Sequence, residues 1–144
     1  MFSKACEYGI RAAIFIAGQS LLDRKVSLKD VAEAIESPTA YTSKILQKLA
    51  RSGLINSDKG PTGGFSINAK DLSTLKLSDI VLAIDGDTIY KGCGLGLKKC
   101  NDKKPCPVHN QFILVRYELK KMLETTSVQS LTMDYEKGFT FLKR

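Results

Sequence analysis

The chain lacks most of what an enzyme or an exported protein needs. Its one histidine, His109, stands outside any serine or carboxylate motif, which gives a catalytic centre little to work with. The first residues, Met1-Phe2-Ser3-Lys4-Ala5-Cys6-Glu7-Tyr8, have no basic start, long apolar run or small-residue cleavage site of the signal-peptide kind. No apolar stretch approaches membrane-spanning length, and there is no internal repeat or low-complexity segment. The expectation is a cytoplasmic, non-enzymatic protein with no membrane partner. With 144 residues, 43% of them hydrophobic, it can bury one sizeable core, as a single domain or a small domain with an appendage.

Negative charge is also scarce: 15 acidic residues stand against 22 Lys and Arg. Between residues 37 and 64, Lys44, Lys48, Arg51 and Lys59 face Asp58 alone, and between 91 and 104 five lysines face Asp102 alone. Such a surface suits a polyanion such as DNA, although a basic solvated face has the same composition until a motif places it.

Three of the four cysteines fall in one stretch, Cys93-Gly-Leu-Gly-Leu-Lys-Lys-Cys100-Asn-Asp-Lys-Lys-Pro-Cys106, and His109 follows three residues later. Thiols this close, on a loop with two glycines and only Leu95 and Leu97 as large apolar residues, are placed to converge on one metal centre. In a reducing compartment they persist for metal or redox work, not as a disulfide framework. Free cysteines in a mobile loop are the plain alternative. Cys6, on the first helix, reads as a small buried residue rather than a ligand.

Helical periodicity runs from Ala5 to Ala17, with Tyr8, Ala12, Phe15 and Ile16 on one face. Ser27 with Asp30 makes a variant capping box for a second helix. Ser37-Pro38 opens a third, with serine as its cap, that carries Tyr41, Ile45, Leu46 and Leu49 to a helix-ending Gly53. Leu54 to Ser57 and Phe65 to Ile67 read as strands around the tip Asp58-Lys59-Gly60-Pro61-Thr62-Gly63-Gly64. This order is that of a winged helix-turn-helix domain, mainly α with a small β-hairpin wing. Its third helix would offer Thr39, Ala40, Tyr41, Thr42 and Ser43 to bases. Lys44, Lys48 and Lys59, with the wing residues Gly60, Thr62 and Gly63, would meet phosphates or the minor groove. Tyr41 fits a core position equally well by helical phase.

Residues 1–86 form the expected DNA-binding domain, 87–109 the cysteine loop and 110–144 a long dimerisation helix with a tail. Leu77 to Ile84 reads as a short helix. From Pro107 or Asn110 to about Thr125 runs a helix whose stripe of Phe112, Ile113, Val115, Leu119 and Met122 is too generous for so small a domain to cover. A second copy would cover it, giving a homodimer on a palindromic double-stranded operator. A weak helix around Val128 to Leu131 and an apolar Phe139-Thr-Phe141-Leu142 end that packs back complete the reading.

Glu7-Tyr8-Gly9-Ile10-Arg11-Ala12, Lys44-Ile45-Leu46-Gln47-Lys48-Leu49 to Gly53-Leu54, the wing Lys59 to Phe65, and Leu77-Ser78-Asp79-Ile80-Val81-Leu82-Ala83-Ile84-Asp85-Gly86 together resemble the Rrf-type regulators, the family of IscR and NsrR. The resemblance covers nearly the whole chain. It implies a dimeric transcription factor with an iron-sulfur cluster, 2Fe-2S or 4Fe-4S, held by Cys93, Cys100 and Cys106. IscR-like members add a histidine three residues after the last loop cysteine, which His109 matches. NsrR-like members use a carboxylate of the other subunit's first helix, where Glu7 stands. A ligand joining the two subunits gives the stronger lever on DNA binding, which puts Glu7 slightly ahead of His109. The gap from Cys93 to Cys100 is one residue longer than the commonest family spacing, which leaves the cluster type open.

The lysines around the loop would offset an anionic cluster. Zinc, which takes three sulfurs and a histidine, is the alternative metal, although the two gaps are long for a zinc knuckle. The rival function is a small redox or zinc-binding protein using the same thiols, for which the glycine-rich wing beside a basic helix has no purpose.

Overall fold

A computed structural model describes residues 1–144. Helix α1 (Lys4–Leu21) runs through the middle and packs mainly on four others: α2 (Leu28–Ala34), α3 (Thr39–Arg51), α5 (Leu77–Asp85) and α8 (Val128–Glu136). It is longer than the periodicity indicated because Ser3 caps it, accepting from Cys6 N, and because Gly18 lies against Glu136 of α8. The core clusters Ala12, Ile16, Ala17, Val31, Leu46, Leu49, Ile80, Val81, Leu123 and Val128. Gly9 allows a close approach of α5: a Cβ there would meet Ile84 Cδ1 at 2.2 Å.

The capping box of α2 is present. Ser27 Oγ accepts from Asp30 N at 3.1 Å, and Asp30 Oδ2 accepts from Ser27 N at 3.0 Å. The hydrogen bond from the Ser27 backbone N–H, with a contribution from the Ser27 side chain, holds the Asp30 carboxyl below its ordinary range, so the stabilisation it gives is present above that range and is lost on acidification. Ser27→Ala is expected to destabilise the fold by about 1 kcal/mol, read as a melting temperature a few degrees lower. An unchanged melting temperature would show that the cap contributes nothing.

Helix α3 departs from expectation at its start. Pro38, not Ser37, is the cap residue and no side chain caps the helix; the Ser37 hydroxyl is buried without a partner. Its end is as expected. Gly53, with φ of 74°, closes a Schellman motif in which Gly53 N donates to Ala50 O at 3.0 Å and Leu54 N to Leu49 O at 3.1 Å.

The hairpin follows. Strand β1 (Asn56–Asp58) pairs antiparallel with β2 (Gly64–Ser66) in the register Asn56 to Ser66, Ser57 to Phe65 and Asp58 to Gly64. The strands start and stop a residue or two from the expected positions. Val26, just before α2, bridges to Phe65 and ties the wing to the helix-turn-helix body. Two short helices escaped the sequence pattern, α4 (Ala69–Leu72) and α6 (Thr88–Lys91). One turn of helix carries too little periodicity to be seen.

Helix α7 (His109–Thr125) packs on α5, and α8 extends well past Leu131. Leu77 N to Thr126 O at 3.1 Å and Val128 N to Leu75 O at 2.8 Å fasten the C-terminal part to the body. On α7, Leu123 is buried and Phe112 and Leu119 half-buried, while Ile113, Leu114, Val115, Tyr117 and Met122 are exposed. The tail packs back only through Leu142; Phe139 and Phe141 are 73% and 75% exposed. No helix is long and apolar enough to cross a membrane.

Candidate nucleic-acid interface and thiol site

Helix α3 turns Ile45, Leu46 and Leu49 inward and leaves Thr39, Ala40, Lys44, Gln47, Lys48 and Arg51 exposed. Thr42, expected among the base-facing residues, is fully buried and its hydroxyl donates to Pro38 O at 2.9 Å. A side chain spent on its own helix cannot reach a base edge from this position. Tyr41 is half-buried, its ring edge-on to Tyr8 of α1 with centroids 5.7 Å apart, and the Arg11 guanidinium lies 4.6 Å from the Tyr8 centroid. Ser43 is half-buried and its hydroxyl accepts from Gln47 Nε2 at 3.2 Å. The outward face is therefore shifted one position along the helix, and Gln47, which sequence reasoning passed over, belongs to it.

Lys48 has a different engagement from the phosphate contact expected of it. Its Nζ donates to Ile84 O at 3.0 Å, on the last turn of α5, where free carbonyls carry partial negative charge. On the wing, Lys25 pairs with Asp58 at 3.0 Å, so the hairpin's one carboxylate is neutralised and Lys59 at the tip has no acidic partner. Gly63 and Gly64 shape that tip. A Cβ on Gly63 would lie 2.2 Å from Asp58 O, and Gly64 has φ of 141° with Val26 O close behind it.

The loop between α6 and α7 holds the three clustered thiols in two groups. Cys93 and Cys106 form one group: the Cys93 pKa is lowered by hydrogen bonds from the backbone N–H groups of Leu95 and Leu97, then by Cys106 and the Arg116 charge. Cys100 Sγ lies 3.4 Å from His109 Nδ1, and Arg116 Nη2 donates to it at 3.2 Å. His109 is only 5% exposed and its Nε2 is 3.1 Å from Asp102 Oδ1. Arg116 Nη1 also donates to Gly92 O at 2.7 Å, so one guanidinium spans the loop's start and its middle.

Arg116 was missed from sequence, although a signal existed: it stands seven residues after His109, on the same face of one helix. Nowhere do three metal-binding side chains already converge. The donor set nonetheless has the chemistry of a soft metal centre, three thiols and an imidazole within one loop and its adjoining helix turn.

The remaining candidates stand apart from the loop. Glu7 is exposed on α1 and pairs with Lys4 at 3.1 Å. Cys6 is fully buried, and burial, with the nearby Asp85 carboxylate, pushes its pKa up to about 12. It is a packing residue that stays protonated. Asp85 accepts from Ser3 N at 3.0 Å and from the Ser3 hydroxyl, tying the end of α5 to the start of α1.

A family model described as Rrf2, iron-dependent transcriptional regulator, matches residues 2–134. The transcriptional regulator IscR of Yersinia pestis is 28% identical over 124 residues, spanning 86% of this chain and 74% of that protein. Among solved structures, CymR, the global cysteine regulator of B. subtilis, is similar with a TM-score of 0.74 at 20% identity, over 92% of this chain and 96% of that one. T. potens IscR is similar with a TM-score of 0.72 at 20% identity, over 97% and 91%. At those identities the structural likeness establishes the winged-helix fold.

Proposed function

The chain belongs to the Rrf2 family of transcriptional regulators, not enzymes, and on that premise we propose that a homodimer of it binds double-stranded operator DNA under the control of an iron-sulfur cluster held by Cys93, Cys100 and Cys106. The domain division follows: residues 1–86 bind DNA, 87–109 hold the cluster, and 110–144 dimerise through the exposed apolar face of α7. Thr39, Ala40, Ser43, Lys44 and Gln47 face the major groove, and Lys59, Gly60, Thr62 and Gly63 of the wing meet the backbone or minor groove. The protein acts in the cytoplasm. Zinc is the alternative occupant of the same thiols.

One observation carries the control. The thiol loop follows the one-turn helix α6, which begins just after α5 ends, and the last turn of α5 holds the recognition helix through Lys48 to Ile84 O and the start of α1 through Asp85 to Ser3. When bound, the cluster supplies anionic charge and metal-sulfur bonds that draw separated ligands together. To hold it, Cys93, Cys100 and Cys106 would have to leave their present surroundings, Cys100 giving up its 3.4 Å contact with His109 Nδ1. Arg116 and the loop lysines would offset the charge, and a change in the loop would pass through α6 to the last turn of α5. A shift there changes how Lys48 is held, and with it the seating of α3 on DNA.

Lys59→Ala tests the DNA reading. It is expected to weaken binding to all sequences and to reduce the slope of affinity against salt by about one, because one phosphate contact is lost. Unchanged affinity and slope would remove the wing from the interface.

The fourth ligand is tested by Glu7→Ala beside His109→Ala. Within one chain His109 is the favoured ligand, since it already touches a loop thiol, whereas Glu7 could serve only from the partner subunit. Loss of His109 is expected to alter the visible spectrum and the lifetime of the reconstituted cluster, with Glu7→Ala unchanged. The reverse pattern would assign the ligand across the dimer.

A further inference from the structure

We propose that in the cluster-free protein Cys100 forms a mixed disulfide with small anionic disulfides, whose acidic groups are received by Arg116, Lys91 and Lys120. The inference rests on the thiol loop proposed above but concerns the state in which no cluster occupies it.

Cys100 lies on the wall of a shallow cavity of about 440 Å³ between α6 and α7, beside Tyr90, Lys91, Arg116, Tyr117 and Lys120. Three of those side chains are cationic. Lys91 pairs with Asp87 and Lys120 reaches Glu124 only at 3.8 Å, while Arg116 has no carboxylate partner at all. The Tyr90 hydroxyl is buried without a hydrogen-bond partner. A basic cavity with a thiol in its wall selects an anion that can react with sulfur.

The surroundings of Cys100 also fit the chemistry. With His109 Nε2–H directed at Asp102, Nδ1 is left to accept from the Cys100 thiol. In the exchange, Cys100 Sγ bonds to one sulfur of the incoming disulfide, the incoming S–S bond breaks, and the departing sulfur leaves as a thiol with the proton of Cys100, passed through His109. One S–S bond replaces another, so no further oxidant is needed. Cys93 and Cys106 are free thiols close enough to influence each other, and Cys93 opens on a separate cavity beyond Arg116. An adduct on Cys100 removes one of the three thiols, so it and cluster assembly exclude each other.

The test uses the full-length, metal-free protein with glutathione disulfide as an anionic probe and cystamine as a cationic one, followed by mass spectrometry and peptide mapping. Cys100 is expected to be the first residue modified by glutathione disulfide. Arg116→Gln should slow that reaction about five- to ten-fold while changing the cystamine rate less than about two-fold, and Arg116→Lys should restore it. The C93S/C106S variant keeps an adduct from being resolved internally. Equal modification of the loop cysteines, or equal slowing with both probes in Arg116→Gln, would overturn the proposal. Because no metal is present, these outcomes are independent of whether a cluster forms.

Discussion

Alanine at any one of Cys93, Cys100 or Cys106 is expected to abolish the visible iron-sulfur absorption of anaerobically reconstituted protein. Each thiolate is among the strongest ligands an iron could find on this chain, and the imidazole and carboxylate near Cys100 are poorer substitutes for a lost thiolate. Cys6→Ala is expected to keep the full spectrum, since Cys6 is buried in the core and its thiol stays protonated. Iron and sulfide analysis alongside operator binding completes the measurement: the three loop variants should bind DNA alike whether or not iron and sulfide are supplied. A normal spectrum in any one of them would remove that cysteine from the ligand set. Wild-type protein that took up zinc but no iron or sulfide would decide for the alternative metal.

Gly63→Ala should cost the protein its wing. The added Cβ would sit 2.2 Å from Asp58 O, a backbone atom that cannot swing aside as a side-chain end can, so the turn must open and the pairing of Asp58 with Gly64 must loosen. The local strain is about 1–3 kcal/mol. Because the hairpin is small and joined to the body by the Val26 bridge, most of that is expected to appear as displacement of the tip, not as global unfolding. The expected result is a fall in operator affinity of about ten-fold or more, larger than for Lys59→Ala, with the melting temperature down by only a few degrees. Operator affinity equal to that of the wild type would show that the tip does not touch DNA. A large loss of melting temperature would show instead that the hairpin is integral to the core.

Much of the fold was legible because its signals are local. The Ser27 capping box, the Gly53 helix end and the glycine-rich tip each depend on residues within five or six positions of one another, and backbone sterics enforce them wherever they occur. Short helices such as α4 and α6 have no period long enough to announce themselves. The start of α1 is set by the Ser3 cap, and Gly18 near its end lies against Glu136 of α8, which is distant in sequence. The tail shows the same limit: three apolar residues look alike in a string, yet only Leu142 finds a surface to bury against.

The sequence by itself determined the family, the winged-helix order, the basic recognition helix and the presence of three thiols and a histidine in one loop, because composition and short spacing are enough to state which groups are available. Only the tertiary structure decided which of them face one another. Helical phase, read without neighbours, set Thr42 toward DNA; in the fold it is fully buried and its hydroxyl is bonded to Pro38 O. Folding brought Arg116 from α7 onto Cys100, left Glu7 paired with Lys4 away from the loop, and gave Lys48 a carbonyl of α5. The Arg116 and Lys48 contacts join residues 16 and 36 positions apart. Their energy depends on distances of a few ångströms that no sequence spacing can fix.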